Sequence, residues 1–562
     1  MKNAEIARIF FEIADMLEIK GVEFKPRAYR KAAQNIEALP EDIADCWRQG
    51  RLREIPGVGE HIAAKIAEYL QTGKVSTYTK LKKELPVDFE GLGRVQGLGP
   101  KTIKLLYQRL KIRRLKELEA AARKGKLASV IGSKREANIL ASIGFSQQSS
   151  GRFLLGQMLP LAEGIRDLLA ALPGVKRVEI GGSLRRMNET IGDIDLLAVA
   201  EQPAVVMERF THLPGVKQVL ARGQTKSSVR LDEGVQVDLR VVPAASWGAA
   251  LQYFTGNKTH NVHVRKMAIA KGYKLSEYGL FKGGRRIAGK SEEEVYRRLG
   301  LPYIKPELRE DTGEIDAALQ GKLPRLVRHE DVHADLQMHT TYSDGGNSVA
   351  EMAAAAKKLG HRFIAITDHG GRLRIAGAMG EKEVVQQRRE IGKIEGIRVF
   401  QGIEANVMKD GKLDVPPNIL QQVDIVLAAV HSAFALPEAE MSKRLLAALD
   451  NRHVHILAHP TGRIIGRRPA YSFDFEKICG KAKEQGIALE INCHPERMDC
   501  NGPLVRKAVS LGVKLSIGTD SHAAEQLWFY RLGVALARRG WAEKGDVINT
   551  YNVRQIEQWL ER

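Results

Sequence analysis

Three acidic residues on strand-like runs are the chain's clearest candidates for chemistry. Asp193 and Asp195 stand in the stretch 180–197, IGGSLRRMNETIGDIDLL. An extended strand alternates its side chains, so Asp-x-Asp spacing puts both carboxylates on one face. Asp238, in Val-Gln-Val-Asp-Leu-Arg-Val, occupies another apolar strand able to lie alongside. Three carboxylates at short separation repel one another unless cations neutralise them. Two Mg²⁺ or Mn²⁺ ions there would ease ionisation of an attacking hydroxyl and stabilise the leaving oxygen of an in-line phosphoryl displacement. Gly182, Ser183 and Arg186 add backbone, hydroxyl and guanidinium donors suited to phosphate oxygens. A lone Asp-x-Asp is more often a turn or surface pair, but the joined pattern GGS…RR…GDID…VDLR favours metal-assisted transfer.

A second set lies further on. The chain reads DLQMHTTYSDG from Asp335, then ITDHG, GIEAN, AVHSA, LAHPTGR and GTDSHA. Most of these groups follow an apolar run directly, where an α/β barrel gathers its active site. Imidazoles with a few carboxylates suit Zn²⁺ or Mn²⁺, and a cluster of this size has room for two or three ions. Metal-assisted hydrolysis of a phosphate ester is the chemistry expected of it. One histidine after a strand is usually structural; six such sites after successive strands argue for a ligand set.

The elements that must position these groups can be read from periodicity. Residues 1–85 and 86–150 are helical, with apolar residues three and four apart and short Gly-containing turns. Ile55-Pro-Gly-Val-Gly-Glu-His and Val95-Gln-Gly-Leu-Gly-Pro-Lys form a weak repeat that reads as two helix-hairpin-helix motifs. In each, the glycines (Gly57 and Gly59, Gly97 and Gly99) free backbone N–H groups at a helix start to face a phosphate, with Lys101 following the second. Residues 151–244 alternate helix with β-branched runs, an α+β pattern that 245–315 continues. The stretch from Glu314 to Asp331 reads as a linker, which sets the expected linker bounds at 316–332. From 333 to 562 strands alternate with helices, which predicts an α/β (distorted barrel) unit. The fold class is therefore multidomain: helical modules, an α+β pair and an α/β unit.

The formal charge is +20, and 53 Lys and Arg against 37 Asp and Glu fall within residues 1–315. That imbalance suits a polyanionic partner such as nucleic acid, although a solvated basic surface would show it too. Eleven of the 15 histidines lie beyond residue 315. The four cysteines include no CxxC pair, so neither a disulfide framework nor a structural zinc knuckle is indicated. No run approaches a membrane span, and residues 1–17 mix charges where a signal peptide has an apolar core. A cytoplasmic location and no membrane partner are expected.

With these motifs in place, GGSLRR…GDIDLL…VDLR…YFTGNKTHN resembles the palm and thumb of family X DNA polymerases, over residues 1 to about 315 including both hairpins. The resemblance implies gap filling in base excision repair, with gapped or primed DNA and dNTPs as partners and a monomeric state. It implies that Asp193 and Asp195 bind both metals, and that Asp238 binds the catalytic one and accepts the primer hydroxyl's proton. Gly192, Tyr253, Phe254, Gly256 and Asn261 match the nucleotide site, and Lys226, Arg240 and Arg265 match DNA contacts. Asn257 replaces the serine usual after Gly256. Lys65 falls at the family's Schiff-base lysine, with Lys25, Tyr29 and Arg30 near it in the pattern. His61 and Phe24 depart from that pattern, and a phosphate contact is an equal reading of Lys65.

The histidine-rich half resembles a PHP (polymerase and histidinol phosphatase) domain. The ligands implied are His339, Asp344, His369, Glu404, His431, His459, Asp520 and His522, and the activity implied is a 3′→5′ exonuclease, with an abasic-site endonuclease as a further activity. Gln337 stands where the family's opening His-x-His has its first histidine. A carboxamide coordinates more weakly than imidazole, so one ion of the set is expected to bind less well. Arg463, Arg467 and Arg468 are candidates for substrate phosphates, or a solvated basic loop. Two readings compete: a PHP phosphoesterase whose other half only delivers DNA, and a non-catalytic repair scaffold, which the intact aspartates oppose.

Overall fold

The computed structural model describes residues 2–22, 25–37, 42–55, 57–85, 87, 88, 92, 98, 100–133, 135, 136, 139, 140, 151–371, 378–466 and 468–561. Helices Asn3–Ile19 and Lys25–Glu37 pack through Ile6, Phe10, Ile13, Ala33 and Ile36, the apolar stripes predicted from their spacing. Phe10 meets Tyr29 edge to face at 5.5 Å. In the first hairpin Gly57 has φ +84°, and Gly59 caps the helix Glu60–Thr72. Gly97 and Gly99 of the second hairpin lie outside the described residues. Lys101 falls on the helix Pro100–Leu110.

Five strands form one mixed sheet in the spatial order Val175–Ile180, Asp193–Ala200, Gln236–Val241, Lys226–Leu231, Val216–Ala221. The second and third run parallel, and the other neighbours are antiparallel. Helices Leu155–Ala170 and Pro203–Thr211 bury Leu155, Leu159, Val206 and Phe210 in the core beneath this sheet. Helix Trp247–Thr255 packs Trp247, Ala250 and Leu251 on Leu197 and Val199. It leads into Lys258–Ala270, a three-stranded antiparallel ribbon over residues 274–288, and Glu292–Arg298.

The expected linker is a different object. Glu314–Leu319 is a helix whose Ile315 and Ala318 belong to the core of the preceding unit. Glu314 is itself buried, accepting from the Asp311 and Thr312 amides and meeting His260 at 2.5 Å. The stretch therefore begins as part of a packed unit, with a buried histidine partner, rather than as a linker.

The C-terminal unit holds seven parallel strands in sequence order, from Ala334–Asp335 through Phe363–Ile366, Arg398–Asn406, Ile425–Ala429, Ile456–Leu457 and Ala488–Asn492 to Leu515–Gly518. The first and last meet through Leu336 N–H donating to the Ile517 carbonyl and through a Met338–Ser521 bridge, so the barrel closes along an irregular seam. Strand Phe363–Ile366 is apolar throughout because both its faces are covered. This unit docks directly on the five-stranded sheet's domain and on the unit that follows it. Arg531 pairs with Glu163 at 2.6 Å, Arg463 with Glu189 at 2.8 Å and Arg538 with Glu307 at 2.7 Å. Gly156 faces Pro495 so closely that a Cβ there would overlap the ring. No helix among the described residues is long and apolar enough to cross a membrane.

Candidate functional site

Asp195 and Asp238 are direct partners in the parallel register of two adjacent strands, with Asp193 two residues before Asp195 on the same face. Burial, with Asp193 and Asp238 beside it, pushes the Asp195 pKa up to about 7. Burial and the Asp238 charge also raise that of Asp193. This is the signature of carboxylates gathered for cations. Gln236 Nε2 donates to Asp238 Oδ1 at 2.7 Å, and Lys226 Nζ stands 3.9 Å from its other oxygen. The Lys226 ammonium thus faces the acids. Arg240 lays its guanidinium 4.5 Å over the Phe254 ring, and Arg265 lies 5.9 Å over Tyr253.

The Gly-Gly-Ser turn abuts these acids. Gly182 has φ +62°, and a Cβ on it would collide with the Asp195 carboxylate, so the close approach requires glycine. Ser183 lies in the single turn Gly182–Arg185, and Gly192 directly precedes the strand of Asp193. Arg185 is locked away: it pairs with Glu292 at 2.7 Å and donates to Thr255 Oγ1. Arg309 reaches the same Glu292 at 2.5 Å. Burial opposes ionisation there, but Arg309 and Arg185 hold the Glu292 pKa down at about 2. Arg186 donates to the Thr255 carbonyl and to Glu310, both at 2.8 Å.

Tyr253 and Phe254 meet edge to face at 5.0 Å in the turn that ends at Gly256. Asn261 holds this turn closed, its Nδ2 donating to the Tyr253 and Gly256 carbonyls at 2.7 and 2.9 Å. Asn257 caps the next helix by accepting from His260 N–H, while its Nδ2 donates to Glu310. A carboxamide accepts and donates at opposite ends, which accounts for asparagine where serine was expected.

Lys65 sits half-buried on the helix Glu60–Thr72. Arg30, expected to supply positive charge near it, spends that charge on Asp15 at 2.5 Å and Glu18 at 2.6 Å. Tyr29 packs in the core, Lys25 and His61 are exposed, and Phe24 lies outside the described residues.

All eight expected groups of the barrel converge. Glu404 is their hub: His369 Nδ1, His431 Nε2, His459 Nε2 and His339 Nε2 stand 3.2, 3.3, 3.0 and 3.5 Å from its carboxylate. Asp520 meets His339 at 3.2 Å, and Asp344 meets His522 at 3.4 Å and His369 at 3.6 Å. Ligand atoms of His339, Asp344, His369 and His522 form one compact set; those of His369, Glu404 and His431 form another. His339 is completely buried, which disfavours its cation, yet Asp520 and Glu404 hold its pKa up at about 9. The buried Nδ1 atoms of His339, His431 and His459 lack hydrogen-bond partners. Orphaned imidazole nitrogens around a shared carboxylate suit divalent metal ions.

Sequence reasoning missed the supports. Asp368, next to His369, accepts from Thr340, Ser343 and Gln387 and so shapes the loop carrying Asp344. The Gln337 carboxamide lies against Glu490, whose pKa burial lifts well above the usual range. Asn492 donates to Asp520 Oδ2 at 3.1 Å, and Arg497 lies 3.4 Å from the same oxygen. The arginine loop is a correction: Arg463 is consumed by Glu189 and the Arg497 and Met498 carbonyls. Arg468 donates to the Gly462 carbonyl and stacks 3.8 Å over Phe434, so these two brace the domain junction and loop; Arg467 lies outside the described residues.

An acidic nucleotidyltransferase-type sheet joined to a histidine-rich parallel barrel defines a two-centre phosphoryl-transfer architecture. The chain belongs to the family X DNA polymerases that carry a C-terminal PHP domain. It is 36% identical, over the whole of both chains, to the DNA polymerase/3′-5′ exonuclease PolX of Bacillus subtilis. Family models match at residues 1–75 (helix-hairpin-helix domain), 89–144 (SAM-like helix-hairpin-helix tandem), 250–310 (DNA polymerase beta thumb) and 335–494 (PHP domain). A probable phosphatase of Thermoanaerobacter sp. is 30% identical over 40% of this chain and 94% of its own, and one of Shewanella sp. is 32% identical over 34% and 77%.

Proposed function

We propose that the chain fills short gaps in DNA by templated nucleotide addition and trims 3′ ends at its second centre. The observation that carries the first activity is the in-register pairing of Asp195 with Asp238 beside Asp193, closed on one side by a glycine that only this approach requires. Asp193 and Asp195 would hold two Mg²⁺ or Mn²⁺ ions, with Asp238 sharing one of them. When bound, such ions ease ionisation of the primer hydroxyl and stabilise the leaving oxygen. Asp238 accepts the hydroxyl's proton on a carboxylate oxygen. Gly182, Ser183 and Arg186 orient the triphosphate, and the Tyr253–Gly256 turn lies against its sugar. Arg240 and Arg265, stacked on Phe254 and Tyr253, are placed to meet the DNA beside that turn.

For the barrel we infer a two-ion centre of Zn²⁺ or Mn²⁺ in the two compact ligand sets. His339, His369, His431, His459 and His522, neutral when loaded, together with Asp344, Glu404 and Asp520 would hold these ions, which when bound supply the charge that polarises a phosphate diester for hydrolysis. The relative that matches this chain throughout carries polymerase and 3′-5′ exonuclease in its name, which supports both halves of the reading. Primer extension on one-nucleotide-gapped DNA tests it: Asp193→Ala is expected to abolish templated addition, and persistence of addition in the purified variant would overturn the aspartate assignment.

A further inference from the structure

Glu310 lies where three parts of the molecule meet. Its carboxylate accepts from Arg186 Nε at 2.8 Å and from Asn257 Nδ2 at 2.7 Å, while its carbonyl also receives Asn257. The third partner comes from the C-terminal unit. Arg539, last residue of the helix Tyr530–Arg539, reaches Glu310 at 3.3 Å, donates to the Arg186 carbonyl at 2.8 Å and donates to the Asn188 side-chain oxygen. The side chains of Arg186, Glu310 and Arg539 are only 11, 20 and 16% exposed, so solvent screens their charges far less than it would on the surface.

Charge counting gives this junction a purpose. Arg186 with Glu310 alone sums to zero, and the carboxylate that orients the guanidinium would cancel its attraction for a triphosphate. Arg539 returns one positive charge to the group. The contacts to Thr255 and Glu310 engage two of the five guanidinium N–H donors of Arg186 and fix its plane. Through Asn257 the same carboxylate also tethers the turn that follows Gly256.

We propose that Arg539 is a positioning residue for nucleotide binding: from the C-terminal unit it sets, through Glu310, the orientation and net charge of Arg186 and the placement of the Asn257 turn. This rests on Arg186 being a phosphate ligand. Nucleotide affinity in one half of the chain then depends on a side chain of the other half.

The test is steady-state insertion of one nucleotide into gapped DNA by the full-length protein, with the dNTP concentration varied. Arg539→Gln is expected to raise KM for the dNTP about tenfold with kcat changed less than about threefold, and Arg539→Lys, which keeps the charge but not the planar fork, to recover part of the loss. Glu310→Gln added to Arg539→Gln is expected to bring KM part of the way back toward wild type, because it returns the net positive charge to Arg186, and a further rise in KM of more than about threefold would contradict the charge argument. Digestion of a single-stranded primer should be unchanged in Arg539→Gln, showing that the C-terminal unit is intact. A KM within about twofold of wild type in Arg539→Gln, while Arg186→Ala raises it more than about tenfold, would overturn the proposal. An unchanged KM in Arg186→Ala would instead remove the phosphate-ligand reading, and the role of Arg539 with it. Should Arg539→Gln fail to fold, Asn188→Ala takes its place, with a KM rise of about threefold expected and an unchanged KM contradicting the proposal.

Discussion

The two acidic centres solve the same electrostatic problem in opposite ways. In the mixed sheet, Asp193 is exposed and Asp195 and Asp238 are half-buried, and burial, with repulsion from Asp193 and Asp238, lifts the Asp195 pKa to about 7. In the barrel, Glu404 is buried among four imidazoles that hold its pKa well below the usual carboxylate range despite burial. The first centre is thus completed by what it binds, and the second is assembled by its own side chains. A site that must admit a fresh metal-bearing nucleotide each cycle gains from the first arrangement. A site that keeps its ions gains from the second.

Breaking each centre should show this separation. The largest effect is expected from Asp195→Asn, a loss on the order of 10³-fold or more in nucleotide insertion measured in single turnover, with primer digestion retained. His339→Ala/His369→Ala should do the reverse: digestion falls on the order of 10²-fold, the metal retained after gel filtration drops by elemental analysis, and insertion stays within about twofold. Retention of full metal by that variant would place the ions elsewhere.

A third prediction concerns the scaffold of the first centre. The folded pKa of Glu292, about 2, lies below its ordinary 4.5, so its pairing stabilises fully above pH 4.5 and is lost as pH falls toward 2. Glu292→Gln should therefore cost on the order of 3 kcal/mol at pH 7 and progressively less below about pH 4.5. Hydrogen exchange in helix Trp247–Thr255, compared at pH 7 and pH 3, reads this out. A pH-independent difference would mean that packing, not charge, is what the substitution removes.

The smallest effect sharpens the contrast most. With a metal-free pKa near 7, well above the ordinary 3.8, Asp195 binds protons in competition with Mg²⁺. The Mg²⁺ concentration giving half-maximal insertion should rise about tenfold as pH falls from 8 to 6. A flat dependence would show that the acids are not repelling one another in the free protein.

Much of both centres was legible because their residues sit on regular elements. Asp193 and Asp195 follow from alternation, and the histidines from their place after apolar strands. What stayed hidden depends on contacts between distant segments. Nothing in the spacing of Glu310 foretells Arg539, more than 200 residues away, and Glu292 reads as one of three consecutive surface glutamates. The Glu314 helix gives no sign in the sequence of its buried partner, His260, more than 50 residues earlier. Likewise Arg463 looked like a phosphate ligand until Glu189 was found against it.

The most direct test of two separate centres uses one substrate, a labelled primer beside a one-nucleotide gap, incubated with Mn²⁺ and the next dNTP, and follows lengthening and shortening of the same strand. Asp193→Ala should only shorten it, and His339→Ala/His369→Ala should only lengthen it. Lengthening by the aspartate variant, or loss of both reactions in either variant, would contradict the account.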